Sequence, residues 1–250
     1  MHNLVIDIGN TNSKLAIFDE KMLVHYQILK EIEPAVLISL IQKYKVKNSS
    51  VSIVREDLQE VIDVLESHTN YIPFSTKINT GIKNYYQTLS TLGLDRWAKV
   101  IAAHSCYPGQ NSLMIDAGTC ITYDLLSNDN KYFGGSISLG IDMRFKALHH
   151  FTGKLPLVEW QQEAEIPKGT DTSSAIKNGV LQGVINEVEG FISSYNKENI
   201  GLTVLLTGGS AAFLLEQLKN SIFAPQIIHD PYLVLKGLNE VIAFEYVQKN

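Results

Sequence analysis

The chain carries the stretch Leu4-Val5-Ile6-Asp7-Ile8-Gly9-Asn10-Thr11, and a similar stretch, Leu113-Met114-Ile115-Asp116-Ala117-Gly118-Thr119, follows about half the chain later. Each is an apolar, strand-like run that ends in Asp, Gly and Thr, and a second apolar run follows each copy, at 15–18 and 121–126. A strand that ends in an Asp-x-Gly turn and doubles back exposes a carboxylate, an accessible backbone, and hydroxyl and N–H donors. A single copy has a plainer interpretation as a hairpin turn. Because the pattern occurs twice, it favours two turns that face each other and hold the phosphates of one nucleotide.

Composition places the chain among ordinary globular proteins. Its 250 residues can bury a substantial core in one or two domains, with 45% apolar and 19% charged residues. The net charge of -5 and the lack of a long basic run argue against duplex DNA as the main partner. The longest apolar stretches are strand-sized, the N-terminus has no signal-peptide layout, and Cys106 and Cys120 fit no metal motif. We therefore expect a cytoplasmic protein with no nucleic-acid partner, no membrane partner and no disulfide scaffold.

The predicted elements follow the same order twice. Three strands in series are predicted at 3–9, 13–18 and 22–28, and three more at 112–117, 120–126 and 131–138. Helices and strands then alternate, with an irregular stretch at 71–92. The predicted helices are 33–44, 58–66, 94–106, 141–150, 172–195, 211–218 and 233–246, and the further strands are 51–54, 203–206 and 222–228. The repeat indicates two similar α/β domains, 1–110 and 111–250, with a ligand cleft between them and a last helix that can pack back on the first domain.

A third short segment extends the comparison to known proteins. Thr203-Val204-Leu205-Leu206-Thr207-Gly208-Gly209-Ser210 places a Gly-Gly turn after a late strand, which by itself is equally typical of a tight strand-to-helix turn. Together with the two Asp-x-Gly turns, it resembles the acetate and sugar kinases, actin and the heat-shock chaperones, in which such a Gly-Gly turn contacts adenosine. The resemblance implies an α/β fold of two similar ribonuclease H-like, actin-like halves with an ATP-binding cleft between them.

More specific motifs narrow this resemblance to one family. They are Asp7-Ile8-Gly9-Asn10-Thr11, Leu92-Gly93-Leu94-Asp95-Arg96, Gly134-Gly135-Ser136-Ile137, Gly169-Thr170-Asp171-Thr172, and the segment from His229-Asp230-Pro231 through Lys236-Gly237-Leu238-Asn239. In this order and at these spacings, the chain closely resembles the type III pantothenate kinases nearly end to end. Such a kinase transfers the γ-phosphate of ATP to the primary hydroxyl of pantothenate, the first committed step toward coenzyme A. The resemblance also implies Mg²⁺ or Mn²⁺ with ATP, a monovalent cation such as K⁺ or NH₄⁺, and a homodimer whose interface helps to shape the pantothenate pocket.

The first turn supplies most of the residues that we expect to bind ATP. They are Asp7, Ile8, Gly9, Asn10, Thr11, Asn12, Ser13 and Lys14, joined by Thr119 from the second turn. Asp7 can hold Mg²⁺ through water, since Mg²⁺ releases its waters reluctantly, and the residues after Ile8 can donate to phosphate oxygens. Simple turn chemistry explains Asn12 and Ser13 equally well, and Lys14 can equally be a solvated strand lysine. The resemblance assigns the monovalent cation to Asp116.

Asp95 is the candidate catalytic base. It lies beside Arg96 at the start of a predicted helix, after an irregular stretch that can form an acceptor pocket. An aliphatic hydroxyl is too weak an acid for a carboxylate to ionise it beforehand, so Asp95 would orient the hydroxyl and collect its proton as the bond to phosphorus forms. From the residues alone, a helix N-cap is the commoner role for Asp at such a position. The family resemblance favours the base.

The resemblance also points to the residues that bind pantothenate, which carries a carboxylate, a hydroxyl pair and an amide. They include the turn Gly93-Leu94-Asp95-Arg96, in which Arg96 can meet the carboxylate through its planar fork. Tyr86 resembles the family's substrate-contacting Tyr, and the adjacent Tyr85 is the alternative. Thr172 resembles the family Thr that reaches pantothenate near the dimer interface, with a helix N-cap as its alternative.

Two other functions stay open at this point. One is a kinase of the same superfamily for another small hydroxy acid or sugar, against which the Gly-x-Asp-Arg turn and the short chain count. The other is a non-catalytic nucleotide-dependent regulator, because relatives of the family have been regarded as transcriptional accessory factors. The intact set of Asp7, Asp95 and Asp116 counts against a regulator. Cys120, where the family pattern has Ala, and Leu139, where a Pro often precedes the Gly, depart from that pattern.

Overall fold

A computed structural model describes residues 1–9, 11–53, 59–162 and 165–248 of the chain. The chain divides into two compact units. The first comprises Met1–Pro108, Asn130–Tyr132 and Tyr232–Asn250, and the second comprises Gly109–Asp129 and Phe133–Pro231. The C-terminal helix therefore belongs to the same unit as the N-terminal strands.

In each half of the chain three strands come first, after which helices and strands alternate. The strands are β1 (His2–Ile8), β2 (Ser13–Asp19), β3 (Met22–Leu29), β4 (Asn48–Ile53), β5 (Asn70–Tyr71), β6 (Lys83–Asn84), β7 (Ser112–Ala117), β8 (Cys120–Leu126), β9 (Lys131–Leu139), β10 (Thr203–Thr207) and β11 (Ile227–His229). The helices are α1 (Pro34–Tyr44), α2 (Gln59–His68), α3 (Leu94–Cys106), α4 (Ile141–His150), α5 (Thr172–Glu198), α6 (Ala211–Leu218) and α7 (Leu233–Gln248), and short 3₁₀ turns occur at Leu89–Thr91 and Ala224–Gln226. None of the described helices is both long enough and apolar enough to cross a membrane.

Strand β1 is the centre of the first unit's sheet, in which the strands follow the order β3-β2-β1-β4-β5. It runs antiparallel to β2 and parallel to β4. Leu4 and Ile6 share a core cluster with residues of α1 and α2, and α7 also packs on β1. The continuous apolar sequence of β1 reflects burial on both faces, since a strand with one solvated face would alternate apolar and polar residues.

Helix α7 is fixed to the first unit by close packing and by buried amides. It packs on α3, where a Cβ at Gly237 would lie only 1.9 Å from the carbonyl oxygen of Ala98. The amide nitrogen of Asn3 donates to the side-chain oxygen of Asn239 at 2.9 Å. Asn239 in turn donates to the backbone carbonyl of Glu20 at 2.7 Å. Gly237 and Asn239 therefore hold the C-terminal helix against the N-terminal part of the first unit.

The second unit contains a sheet in which five strands follow the order β11-β10-β7-β8-β9. Strand β7 runs antiparallel to β8 and parallel to β10. The core joins residues of β7, such as Leu113 and Ile115, to the buried face of the 27-residue helix α5, which includes Val184 and Val188. As in the first unit, the strand that ends in Asp-x-Gly lies at the centre of its sheet.

Most of the predicted elements agree with the structure, and the α/β class with its two halves is confirmed. The strand predicted at 222–228 is wrong, because Ala224–Gln226 forms a 3₁₀ turn and only Ile227–His229 is a strand. Pro225 explains the difference, since proline has no N–H for a sheet and its fixed φ suits a helical turn. Smaller differences concern element ends: the strand predicted at 51–54 begins at Asn48, the helix predicted at 172–195 ends at Glu198, and residues 54–58 lie outside the described part of the chain.

Candidate active site

The first Asp-x-Gly turn joins β1 to β2 in the first unit. Asp7 lies near the end of β1, is 8% exposed, and is aligned with Lys14 of β2. The backbone N–H of Gly9 donates to the carbonyl oxygen of Asn12 at 3.2 Å and closes the turn. The side chain of Ile8 is buried in the core, so a ligand can meet only its backbone. A carboxylate and a tight loop are therefore brought together at one end of β1.

The remaining residues predicted for the first turn differ in exposure. Thr11 and Asn12 are exposed, Ser13 is buried, and Lys14 is partly buried. Asn10 lies outside the described residues. Thr11 and Asn12 present polar groups to solvent, whereas Ser13 and Lys14 are already part of the β2 ladder.

Asp95 lies inside α3, in its first turn. Gly93 is the N-cap residue of that helix, so Asp95 is not a helix N-cap. Its side chain is 31% exposed, and its Oδ2 lies 3.5 Å from Nζ of Lys99. A Cβ at Gly93 would lie 2.7 Å from Oδ1 of Asp95. The carboxylate is thus bounded by a cation on one oxygen and by the backbone of a glycine on the other.

A stack of rings and a guanidinium lies beside Asp95 in the first unit. The guanidinium carbon of the buried Arg96 lies 5.5 Å from the ring centre of Tyr86. Tyr86 stacks on Tyr132 with ring centres 6.3 Å apart and an angle of 12° between the planes. Strand β6 brings these rings together by pairing with residues Lys131 and Tyr132. Tyr86 is therefore the tyrosine that contacts Arg96, whereas the ring of Tyr85 is half exposed.

The second Asp-x-Gly turn follows β7 in the second unit. Asp116 is the penultimate residue of β7 and is aligned with Thr122 of β8 and Thr207 of β10. The next loop is packed directly on it, because a Cβ at Gly208 would lie 2.5 Å from Oδ1 of Asp116 and 2.6 Å from the carbonyl oxygen of Ala117. Gly208 also has φ of +96°, a conformation that favours glycine. The Gly-Gly turn therefore packs against Asp116.

Gly140 lies against the second Asp-x-Gly turn, a contact that the sequence did not predict. It is the N-cap of α4, and its N–H donates to the carbonyl oxygen of Thr119 at 3.1 Å. A Cβ on Gly140 would lie 2.2 Å from that oxygen, so this close approach requires glycine. The side chain of Thr119 is exposed at the same turn. The sequence marks this loop only through Leu139, where the family pattern often has Pro before the Gly. Such a departure does not show that the backbone of Thr119 lies against Gly140.

Thr172 is the first residue of α5 and is not its N-cap. Asp171 caps the helix, and hydrogen bonds from the side chain and the backbone of Ser174 lower the pKa of its carboxyl group. Thr172 is exposed and lines a mostly apolar pocket of about 840 Å³ within the second unit, built by α4 and α5. Arg144, the charged residue of this lining, forms an ion pair with Glu187 at 2.5 Å.

The predicted site residues therefore form three groups. Tyr86, Gly93, Asp95 and Arg96 come together at the amino end of α3, with Leu94 as its first helical residue. The second group is the β1–β2 turn, and the third consists of Asp116 and Thr119 at the β7–β8 turn. Thr172 belongs to none of the three groups and lines the pocket of the second unit. Within the described part of the chain, no three His, Cys, Asp or Glu side chains come together as a metal site.

Comparison with solved structures supports the fold. A Campylobacter jejuni protein described as a Baf family transcriptional activator has a TM-score of 0.63 at 23% identity, covering 98% of this chain and 99% of that one. The activator of 2-hydroxyisocaproyl-CoA dehydratase from Clostridium difficile, solved with ADPNP bound, has a TM-score of 0.53 at 13% identity, covering 100% and 96%. These likenesses show that the chain shares the α/β fold of those proteins, with two α/β units that each carry an Asp-x-Gly turn.

Comparison of sequences identifies the family. A family model for type III pantothenate kinases matches residues 3–194. A type III pantothenate kinase of Bacteroides fragilis is 40% identical over 248 residues, covering 97% of this chain and 98% of that protein. The one from Christiangramia forsetii is 39% identical over 258 residues, covering 98% and 100%. The chain belongs to the type III pantothenate kinase family.

Membership of this family confirms the predicted activity class. The chain is a transferase that phosphorylates pantothenate with ATP and a divalent cation, in the synthesis of coenzyme A. The alternative of a kinase for another hydroxy acid or sugar is thereby set aside. The likeness to the protein described as a transcriptional activator concerns the fold alone.

Proposed function

We propose that this kinase uses the carboxylate of Asp95 to orient the primary hydroxyl of pantothenate and to accept its proton during phosphoryl transfer. The observation that supports this role is the grouping of Asp95, Arg96 and Tyr86 at the amino end of α3. The Asp95 side chain is partly exposed, so a substrate hydroxyl can reach it. Proton acceptance late in the reaction suits phosphoryl transfer, because alignment and charge neutralisation supply most of the catalysis.

Arg96 is proposed to bind the carboxylate of pantothenate. Arg96 is buried, and its guanidinium carbon lies over the ring of Tyr86, 5.5 Å from the ring centre, a contact that favours an ordered guanidinium. An ordered planar fork suits two parallel hydrogen bonds to a carboxylate. Because Asp95 and Arg96 are adjacent in the helix, both ends of a small hydroxy acid can be held by one turn of the backbone.

The phosphates of ATP are proposed to bind at the two Asp-x-Gly turns. The donor set fits, because the first turn offers the Asp7 carboxylate with the exposed polar side chains of Thr11 and Asn12, and the second offers the exposed Thr119 hydroxyl. Oxygen ligands of this kind suit Mg²⁺ or Mn²⁺, which would neutralise phosphate charge when bound with ATP. Asp116 is proposed to hold the monovalent cation, K⁺ or NH₄⁺.

A homodimer in the cytoplasm is the proposed working state. Thr172 is exposed at the start of α5, beside a mostly apolar pocket, and its backbone does not cap the helix. An apolar surface rimmed by polar residues is typical of a protein–protein interface or a ligand-binding groove. We therefore propose that Thr172 of each subunit reaches the pantothenate of the other.

The decisive experiment is a kinase assay with a panel of acceptors. Pantothenate should support ADP release and form phosphopantothenate detectable by mass spectrometry, whereas other hydroxy acids at the same concentration should not. Each acceptor is assayed with and without potassium at constant ionic strength. ATP binding without turnover of pantothenate would indicate a regulator instead. Phosphorylation of another hydroxy acid, but not of pantothenate, would identify that acid as the substrate.

A further inference from the structure

Helix α3 contains a lysine whose side chain is completely buried. Lys99 is 0% exposed and is followed and preceded by buried apolar residues of the same helix, including Ala98 and Val100. An ammonium group in the interior is unfavourable unless an opposite charge and hydrogen bonds compensate it. The carboxylate of Asp95, one helical turn earlier, lies 3.5 Å from Nζ of Lys99 and supplies an opposite charge.

The ion pair between Lys99 and Asp95 gives little stability compared with an apolar side chain in place of Lys99. An apolar side chain of similar volume at a buried position is often neutral or stabilising relative to a buried ion pair. The Asp95 carboxylate also remains 31% exposed, so water weakens the attraction between the two charges. Stability alone therefore does not explain the pair, and its effect on the partly exposed Asp95 carboxylate is the other consequence of this geometry.

The geometry restricts the Asp95 carboxylate from two sides. Lys99 approaches Oδ2 from the buried side of α3, because residues four apart lie on the same helical face. Oδ1 lies against Gly93, where any Cβ would be only 2.7 Å away. A methyl group at that point would push the carboxylate aside, since the obstructed atom is the end of a side chain and not backbone. Both features restrict the orientation of the carboxylate while its exposed side stays accessible.

We infer that Lys99 is a positioning residue for the reaction, which fixes the Asp95 carboxylate toward the substrate hydroxyl from within α3. The inference rests on the proposed role of Asp95 as the base. Lys99 contacts neither substrate in this account and acts only through Asp95. Gly93 completes the arrangement by leaving space for the second carboxylate oxygen. Orientation of this kind is valuable because a misplacement of about 1 Å at a reacting group can lower the rate on the order of 100-fold.

The test is a double-mutant cycle between Lys99 and Asp95 in the full-length enzyme. Lys99→Met, which keeps the length and apolar stem of the side chain, should lower kcat on the order of 10- to 100-fold with little change in the KM for ATP or pantothenate. Lys99→Arg should recover part of the loss, since it keeps the charge. In an Asp95→Asn background, Lys99→Met should cause no further loss, because the group on which it acts is already gone.

Control variants separate positioning from folding. Val100→Ala removes buried volume from the same helix without touching Asp95, so it should lower the thermal midpoint but leave kcat unchanged. Gly93→Ala displaces Asp95 directly and should lower kcat while the protein stays folded. If Lys99→Met does not fold, Lys99→Gln, which removes the charge but keeps a polar side chain, carries the test together with Gly93→Ala, and unchanged kcat in both would refute the inference.

The outcomes distinguish this inference from the proposed function. An Asp95→Asn enzyme with near-parental kcat would refute the base itself. An inactive Asp95→Asn enzyme together with a fully active Lys99→Met enzyme would leave the base in place and refute the positioning role. A further loss from Lys99→Met in the Asp95→Asn background would show that Lys99 acts on something other than Asp95.

Discussion

Asp95 and Lys99 show how a single turn of helix can combine a structural pair with a chemical group. The ammonium is buried and the carboxylate is partly exposed, so the pair extends from the interior of the first unit to its surface. A carboxylate paired on one oxygen still has lone pairs for a substrate hydroxyl. The proposed role of Asp95 as the base would use this exposed side, in addition to the favourable placement of an acidic residue in the first turn of a helix.

Replacing Asp95 by asparagine should lower turnover on the order of 10²- to 10⁴-fold, because an amide cannot accept the hydroxyl proton. ATP binding should persist, and the thermal midpoint should fall because Lys99 loses its counter-charge. Steady-state kinetics at saturating substrates, nucleotide titration and circular dichroism measure the three effects. Near-normal turnover would show that Asp95 is not the base and only forms the ion pair with Lys99.

Arg96→Ala should mainly raise the KM for pantothenate, since the carboxylate that Arg96 is proposed to bind lies away from the reacting hydroxyl. Arg96→Lys should restore charge without the planar fork and recover only part of the binding. Initial rates over a range of pantothenate concentrations, with ATP saturating, measure KM and kcat separately. A loss in kcat alone, at an unchanged KM, would argue against the carboxylate contact.

At the scale of elements, helices α3 and α7 approach so closely that one position accepts only glycine. The Ala98 carbonyl occupies the place where a side chain at Gly237 would begin. Because that oxygen is backbone within a buried helix, it cannot turn away as a side chain would. The motif residue Gly237 therefore has a packing role in the fold.

Gly237→Ala should lower the free energy of unfolding by more than about 2 kcal/mol, because overpacking forces the two helices apart. Gly183→Ala is the matched control, since Gly183 lies within α5 and a Cβ there meets nothing within 4 Å. That change should stabilise the protein by about 0.5–1 kcal/mol through helix propensity. Urea unfolding of the two variants measures both, and equal stabilities would contradict the packing argument.

At the scale of the whole molecule, activity should depend on two kinds of cation. We expect a requirement for Mg²⁺ or Mn²⁺ and a strong rise in rate with K⁺ or NH₄⁺ at constant ionic strength, because positive charge near Asp116 would offset the charge of the transferring group. Assays in potassium, ammonium, sodium and tetramethylammonium buffers compare the ions. Equal rates in all four buffers would contradict the proposed monovalent-cation site at Asp116.

A shared active site predicts complementation between inactive subunits. Asp95→Asn and Thr172→Ala homodimers should each be impaired, and a mixed dimer should recover activity because one of its two pockets would contain both native residues. Co-expression with two affinity tags isolates the mixed species, and light scattering measures its mass. A fully active monomer, or mixed dimers no better than the parents, would disprove the shared pocket.

The sequence by itself determined the class of fold and the location of the turns. Apolar runs of strand length that end in Asp-x-Gly are local signals, so β1, β2, β7 and β8 were predicted within one or two residues. The Gly-x-Asp-Arg motif likewise placed the start of α3 correctly. The strand predicted at 222–228 failed because an apolar run was given more weight than the proline within it.

Only the tertiary structure decided which residues contact one another across the chain. The contact of Tyr86 with Tyr132 depends on the pairing of β6 with Lys131 and Tyr132, far along the sequence. Gly140 and Gly237 are ordinary glycines until the backbones of Thr119 and Ala98 are placed against them. Lys99 would be assigned to the surface from its residue type, and it is buried because α3 is covered by other elements, α7 among them. Local pattern fixes the period and ends of an element, whereas burial and close approach depend on what packs over it.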